Sequence, residues 1–429
     1  MLAPLRLPFV GATRPERLAF ELFGLTGTLA LLAIAALEIR ARADRSPRAL
    51  VPVALFVLVG LQVLAVVTET VDRSWDYDCY EQAARALLEG HDPYGEGPTR
   101  YLYPPLLAQA LALAHGSVAR FVAPDRVWDA VFYLYECAQV LLVWAAFPLL
   151  VRIARDADIE TTAAAVLAAV LLVVDNPLLR TLRWNQINLW VLDATLLAIA
   201  LRARAPIAAG LAIALGAHLK IYPLALAGAW AVGRQWRALA AAIAGCAAIF
   251  LVQTRGGTDL ATWRQFAEFA PRFPPGTFFR DSSLHSVIHN VASVFERILP
   301  WSSSPAFEGS VTAIGAIALA AWIGWRLLRR EREPETPLRH LLQASDAIAL
   351  TLLAAPSTWE HHYVLALPTA IAAVARRGRE RPGWIAAALV AIFAVPTFDV
   401  FAISWHRLAG LVALLWLTAP DGSAGGPRA

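Results

Sequence analysis

The sequence predicts an all-α, polytopic integral membrane protein, and three observations carry that expectation. Hydrophobic residues make up 58% of the 429 residues. Charged residues make up 16%, against about 25% in soluble globular proteins. Apolar runs long enough to cross a hydrocarbon core of about 30 Å recur from residue 19 to residue 419. Within lipid the backbone must satisfy its own hydrogen bonds, so such runs fold as helices. No stretch remains for a large soluble domain, and residues 1–429 read as a single integral membrane domain.

Charge placement orients the elements. Of 37 basic residues only Lys220 is a lysine, and the arginines gather in short connectors, which places those connectors in the cytoplasm. The apolar run at 18–37 exceeds the roughly 7–15 residues of a signal-peptide core and reads as a retained helix. Arg6, Arg14 and Arg17 precede it, so it either crosses or lies in the interface. Arg40, Arg42, Arg45 and Arg48 hold the next connector inside, and residues 51–67 carry the chain out. Arg152 and Arg155 bring it back, so only one of the stretches 106–121 and 127–150 crosses. Gln109, His115 and Arg120 interrupt the first, which is therefore an external or re-entrant helix.

Further spans follow near 162–178, 187–201, 206–218, 223–233, 238–254, 308–327, 341–356, 362–375, 384–398 and 404–419. The pair 206–218 and 223–233 is short, as in a tilted or re-entrant hairpin. The total is about 12 or 13 spans. Residues 72–126, 179–186, 219–222, 255–305 and 357–361 are left outside, and they hold nearly all of the unusual polar chemistry. Net charge is only +4, which does not suit a nucleic-acid partner. Cys79, Cys137 and Cys246 lie too far apart to read as a disulfide framework or zinc site. Nothing in the sequence requires a metal or cofactor.

The first external loop is the most informative. Tyr80, Ala83, Ala84, Leu87 and Leu88 recur at helical spacing, and Gly90 followed by Asp92-Pro93 supplies a stop, so a short amphipathic helix lies on the membrane surface. Asp76 stands at its start, on the Tyr80 face. A carboxylate there serves as an ordinary helix cap or as a catalytic group. Asp78 lies on another face, where a solvated or structural acid is the plainer reading.

The residues Asp76-Tyr77-x-x-Tyr80-x-x-Ala83-Ala84, then Leu87-Leu88-x-Gly90-x-Asp92-Pro93-Tyr94 and Tyr103-Pro104-Pro105, resemble the first external loop of glycosyltransferase family 87, a group of GT-C membrane enzymes. Trp184-Asn185-Gln186-Ile187-Asn188 resembles the family's Gly-Gln-x-Asn element, with Asn185 where Gly is customary. Lys220-Ile221-Tyr222-Pro223 resembles its Lys-x-x-Pro element, and Trp359-Glu360-His361-His362-Tyr363 its late Trp/His/Tyr element. Asp281-Ser282-Ser283-Leu284 loosely matches a late Asn-x-Ser-Leu element. In order and spacing the set covers about residues 76–363.

The resemblance implies a GT-C-like fold and inverting sugar transfer from a polyprenyl-phosphate donor, with Asp76 as general base. Mannose is the expected sugar and arabinofuranose the rival. The acceptor would be a glycolipid or a cell-envelope glycan, and the location a bacterial cytoplasmic membrane with the active site outside. The chemistry fits the residues independently. A sugar hydroxyl is a weak nucleophile that a placed carboxylate can deprotonate, while the phosphate leaving group needs cations or N–H donors where its charge grows. Lys220, at the external end of the short hairpin, is the first candidate for that phosphate, although a lysine at a helix end also commonly snorkels. Asp78, Tyr80, Gln186, Asn188, Tyr222, His361, His362 and Tyr363 complete the expected substrate contacts. Arg272, Arg280, Asp281, His285 and His289 populate the longest external loop, as part of an acceptor site or lid.

A lipid flippase or transporter is the competing class. Glu136 and Asp193 lie inside spans, where carboxylates can mark an ion path. Pairing with Arg or Trp N–H donors is the blander expectation for both, and no inverted halves are detectable.

Overall fold

Small residues set a close helix–helix contact among the described residues. Gly210 lies in a helix over Pro206–Leu219 that packs on a helix over Trp236–Gln253. A Cβ at Gly210 would stand 2.4 Å from the Ala238 carbonyl oxygen and 2.6 Å from Ala241 Cβ. Gly245 meets Ala214 in the same seam. Apolar helices in lipid gain little by hiding from an equally apolar solvent, so this backbone approach supplies the packing energy.

The computed structural model describes residues 58–60, 73–95, 101–272, 280–296, 298, 300–398, 400 and 402–420. The expected crossing at 19–38, its flanking arginines and most of 51–67 lie outside the described residues. Described elements are helical throughout: α1 Trp75–Glu89, α2 Leu106–Val118, α3 Val127–Asp156, α4 Thr161–Val173, α5 Asn176–Arg183, α6 Asn188–Leu201, α7 Pro206–Leu219, α8 Leu224–Val232, α9 Trp236–Gln253, α10 Ala261–Phe269, α11 Leu284–Phe295, α12 Pro305–Arg330, α13 Pro337–Ala354, α14 Leu367–Arg377, α15 Pro382–Leu389 and α16 His406–Leu417. The protein is thus all-α and polytopic, as the apolar runs predict.

Helix α6 is the hub. Most of its residues are buried, and it packs between α3 and α7. Around it, α9 and α12 bury one narrow face and turn Ile243, Val252, Ile314 and Ile317 outward, as lipid-facing helices do. Among the described residues, Pro124–Asp156, Trp236–Gln253 and Pro305–Arg330 are each long and apolar enough to cross a membrane. The helices α2, α6 and α7 are shorter; at 1.5 Å per residue, α6 reaches only about 21 Å.

Three boundaries differ from the sequence expectation. The run at 162–178 does not continue straight: α4 ends at Val173, and α5 leaves at 52° to it. Asp175 causes the break by capping α5, its carboxylate accepting from the Leu178 N–H at 2.9 Å, with Pro177 in the first turn. The stretch 179–186, expected as a loop, is therefore largely helical. The run at 362–375 likewise opens with a 3-10 turn over Glu360–Ala366 before α14 begins.

Chain direction separates the two ends of the bundle. Gln186 and Asn188 open α6, Lys220 closes α7, and Ser357–His362 follow α13, so all lie at one end. Arg202 and Arg204 after α6, Asp156 at the end of α3 and His340 at the start of α13 meet around a small cavity at the other. Two cations of α12, Arg326 and Arg330, share the buried carboxylate of Asp346 on α13 at 2.8 and 2.5 Å.

Candidate active site

The polar end of the bundle exists because its helices stop short. Irregular backbone at membrane depth is tolerated only when buried in protein or lining a cavity, and here it presents amides, an ammonium group and imidazoles. Helix α1 lies over this end. Its N-cap is Ser74, whose hydroxyl accepts from the Tyr77 N–H at 3.2 Å, and Gly90 closes it in the left-handed conformation. The cap is therefore not Asp76, which is left in the first turn to serve something else.

Asp76 is half-buried and accepts a hydrogen bond from Gln186, with the charge of Lys220 close enough to act on it. Burial pushes its carboxyl up to about 6, opposed by Gln186 and then Lys220. The oxygen of the Gln186 amide is fixed by two tyrosines, Tyr103 at 3.2 Å and Tyr80 at 3.4 Å. Both hydroxyls donate to that oxygen, which leaves the amide N–H for the carboxylate.

Lys220 is buried where α7 ends. Its Nζ donates to Asn188 Oδ1 at 2.9 Å and lies 2.7 Å from His362 Nε2. The rings of Tyr222 and Tyr103 flank it, their centroids 4.6 and 5.3 Å from Nζ. Burial lowers the ammonium to about 7, and Asp76 acts the other way. His361 stands beside His362, its ring held well below the ordinary imidazole range by burial and by the Lys220 and Arg180 charges. Arg180 on α5 pairs with Glu360 at 3.1 Å, and Thr181 donates to the His361 carbonyl, so α5 underpins this turn.

Asp76, Tyr80, Gln186, Asn188, Lys220, Tyr222, His361 and His362 thus come together. Two other expected contacts do not. Asp78 lies within reach of the Arg73 and Glu81 charges, and Tyr363 is fully buried on the Ser282 and Arg407 side of its turn. In the long loop, His289 pairs with Glu308 at 3.0 Å and His285 contacts Thr312, which ties both histidines to α12. Asp281 instead clamps the loop to the histidine turn, accepting from the Ser357 hydroxyl and from the Thr358 N–H at 2.9 Å. Arg280 lies over the Trp359 ring. On the other side Tyr94 of the first loop stacks on Phe269 of α10. No group of three or more His, Cys, Asp or Glu side chains suited to a metal ion occurs among the described residues.

Asn185 is the residue whose role the sequence does not reveal. Its φ of 49° lies in the left-handed region, which Gly and Asn tolerate best. That conformation accounts for Asn in place of the customary Gly. Its side chain then bridges two elements, accepting from the Ser74 N–H at 3.0 Å and donating to Glu136 at 2.7 Å. Glu136 is therefore paired with an amide, not with the Arg or Trp expected. Asp193 is also unlike its expectation: buried, with neither carboxyl oxygen hydrogen-bonded among the described residues.

A model of glycosyltransferase family 87 matches residues 101–356. Two curated relatives carry the name polyprenol-phosphate-mannose-dependent alpha-(1-2)-phosphatidylinositol mannoside mannosyltransferase. The one from Mycolicibacterium smegmatis is 25% identical over 80% of this chain and 82% of its own. The one from Mycobacterium tuberculosis is 26% identical, again over 80% of this chain and 82% of its own.

Proposed function

The chain belongs to glycosyltransferase family 87, and from that membership and the Asp76–Lys220 corner we propose that it transfers mannose from a polyprenyl-phosphate donor to a glycolipid hydroxyl on the outer face of a bacterial cytoplasmic membrane. The observation that carries this reading is the convergence of a carboxylate of raised pKa, held by Gln186, and a buried lysine, held by Asn188 and His362, on one corner. Asp76 takes the acceptor hydroxyl proton as that oxygen bonds to the anomeric carbon, and the donor phosphate leaves toward Lys220, with inversion. His361, His362, Asn188 and Tyr222 line the phosphate and sugar side. Mannose is favoured over arabinofuranose by the donor named for both relatives. The arginine connectors at the opposite end of the helices support an outward-facing site.

Membranes containing the protein, given radiolabelled polyprenyl-phosphate mannose, are expected to move label into a glycolipid fraction, and Asp76→Asn membranes are not. Label that stays in the donor pool, or transfer that survives Asp76→Asn, overturns the reading.

A further inference from the structure

The turn at 359–362 fixes the tautomer of His362. The Trp359 backbone N–H donates to its Nδ1 at 3.0 Å, so Nδ1 carries a lone pair and the ring proton is on Nε2. That nitrogen faces Lys220 Nζ at 2.7 Å. An ammonium group has three donors and no lone pair, so it cannot accept from an Nε2–H. A neutral amine can: its lone pair accepts from His362 while one of its own N–H bonds reaches Asn188 Oδ1.

The surroundings are consistent with this. From α1, Asp76 acts on Lys220 through its charge. The first loop supplies the Tyr103 ring, the segment after α7 the Tyr222 ring, and the 3-10 turn His361 beside His362. Behind His361 stands Arg180, already paired with Glu360. Asp76 and the two aromatic faces favour a cation, while burial opposes it. Only the His362 contact discriminates by stereochemistry, and it requires a lone pair on Nζ.

We infer that Lys220 rests as a free amine held by His362 and becomes an ammonium, by taking one proton from water, when the phosphate of a lipid-linked donor enters. This rests on Lys220 being the phosphate-binding group. The accounting is simple. A phosphodiester carries one negative charge throughout the neutral range, Nζ gains the proton, and His362 keeps its own and turns Nε2–H from Nζ to a phosphate oxygen. An empty site then holds no uncompensated buried cation, and the charge appears only with its counter-ion. His362 is in this respect a positioning residue that sets the proton state of Lys220.

The test is calorimetric titration of the full chain in nanodiscs with a methyl polyprenyl phosphodiester, in pairs of buffers with unlike ionisation enthalpies. At pH 8.5 the expected uptake is about one proton per phosphodiester bound, falling to about a fifth or less at pH 5.5. Asp76→Asn should keep the uptake, because the proton goes to Nζ; its loss would place the proton on the carboxyl and overturn the inference. His362→Gln offers Nζ a carbonyl acceptor and should cut uptake at pH 8.5 to under about half while binding stays within about tenfold; undiminished uptake in that variant overturns the role of His362. Binding by the parent protein without proton uptake, with Lys220→Gln still weakening it at least about tenfold, overturns the free amine and leaves the phosphate role intact. Lys220→Gln binding as well as the parent removes the phosphate role itself.

Discussion

Ser74 and Asn185, 111 positions apart, are joined by a hydrogen bond of 3.0 Å from the Ser74 backbone N–H to the Asn185 side chain. The Ser74 hydroxyl also donates to the Trp184 carbonyl. The first residues of α1 are thereby pinned to the turn that carries Gln186, and Gln186 in turn holds the Asp76 carboxylate. The Asp76 carboxylate and the Gln186 amide are fixed to each other by both of these routes.

Asn185→Gly keeps the left-handed backbone and removes both side-chain bonds. We expect a folded enzyme whose turnover falls about tenfold, near 1.4 kcal/mol. Asn185→Val, strained at this φ, should fail to accumulate. Turnover and membrane yield of the two variants check this.

Asp76→Asn should lower turnover by about 10²- to 10⁴-fold, the range for loss of a general base. The parent needs the ionised carboxylate, and burial has raised its pKa to about 6. The kcat/KM profile should therefore fall about tenfold per unit below pH 6, and it should fall again above about pH 7, where the resting Lys220 amine must take up a proton as the donor binds. The raised value also means that the folded state binds this proton more readily than the unfolded chain does, so at neutral pH the ionised group opposes folding. Asp76→Asn should accordingly raise the thermal midpoint while abolishing transfer. An acid kept for structure would do the reverse.

Asp281→Ala frees Ser357 and Thr358 and loosens the turn that carries both site histidines. Donor KM should rise about tenfold, with a smaller change in kcat, and Asp281→Asn should recover part of the loss. Initial rates over a range of donor concentrations distinguish the two parameters.

Asp193→Leu separates enzyme from transporter. Neither oxygen of this buried carboxyl is hydrogen-bonded among the described residues, so an apolar replacement removes a desolvated group at little cost. Transfer should stay within about threefold of the parent, with equal or greater thermal stability. A proton pathway through Asp193 would instead be abolished.

Asp346→Ala leaves Arg326 and Arg330 buried without their shared carboxylate. A loss of about 3–5 kcal/mol is expected, measured as a lowered midpoint in detergent, with membrane yield falling alongside.

Much of this was legible because it is local. The apolar runs mark the helices, and Gly90 marks the end of α1 at the left-handed residue where the structure stops it. Asp76, Lys220 and His362 stand in recognisable short elements whose order the family shares. What the sequence conceals is pairing across long separations. Glu136 reads as a span carboxylate until Asn185, 49 residues on, is seen to donate to it. His289 reads as a site residue until α12 brings Glu308 to it. The span expected at 162–178 runs through the break after Val173 because apolar residues dominate that stretch, although Asp175, Asn176 and Pro177 mark the break within it.

The hydrogen bonds that join Lys220 to Asn188 and to His362 reach 32 residues back and 142 residues forward along the chain. During synthesis, Asp76, Gln186, Asn188 and Lys220 are all threaded into the bilayer before the histidine turn leaves the ribosome. No nascent fragment ending ahead of that turn holds Lys220 together with both of its partners, so premature termination is expected to yield inert polypeptide rather than an unregulated transferase.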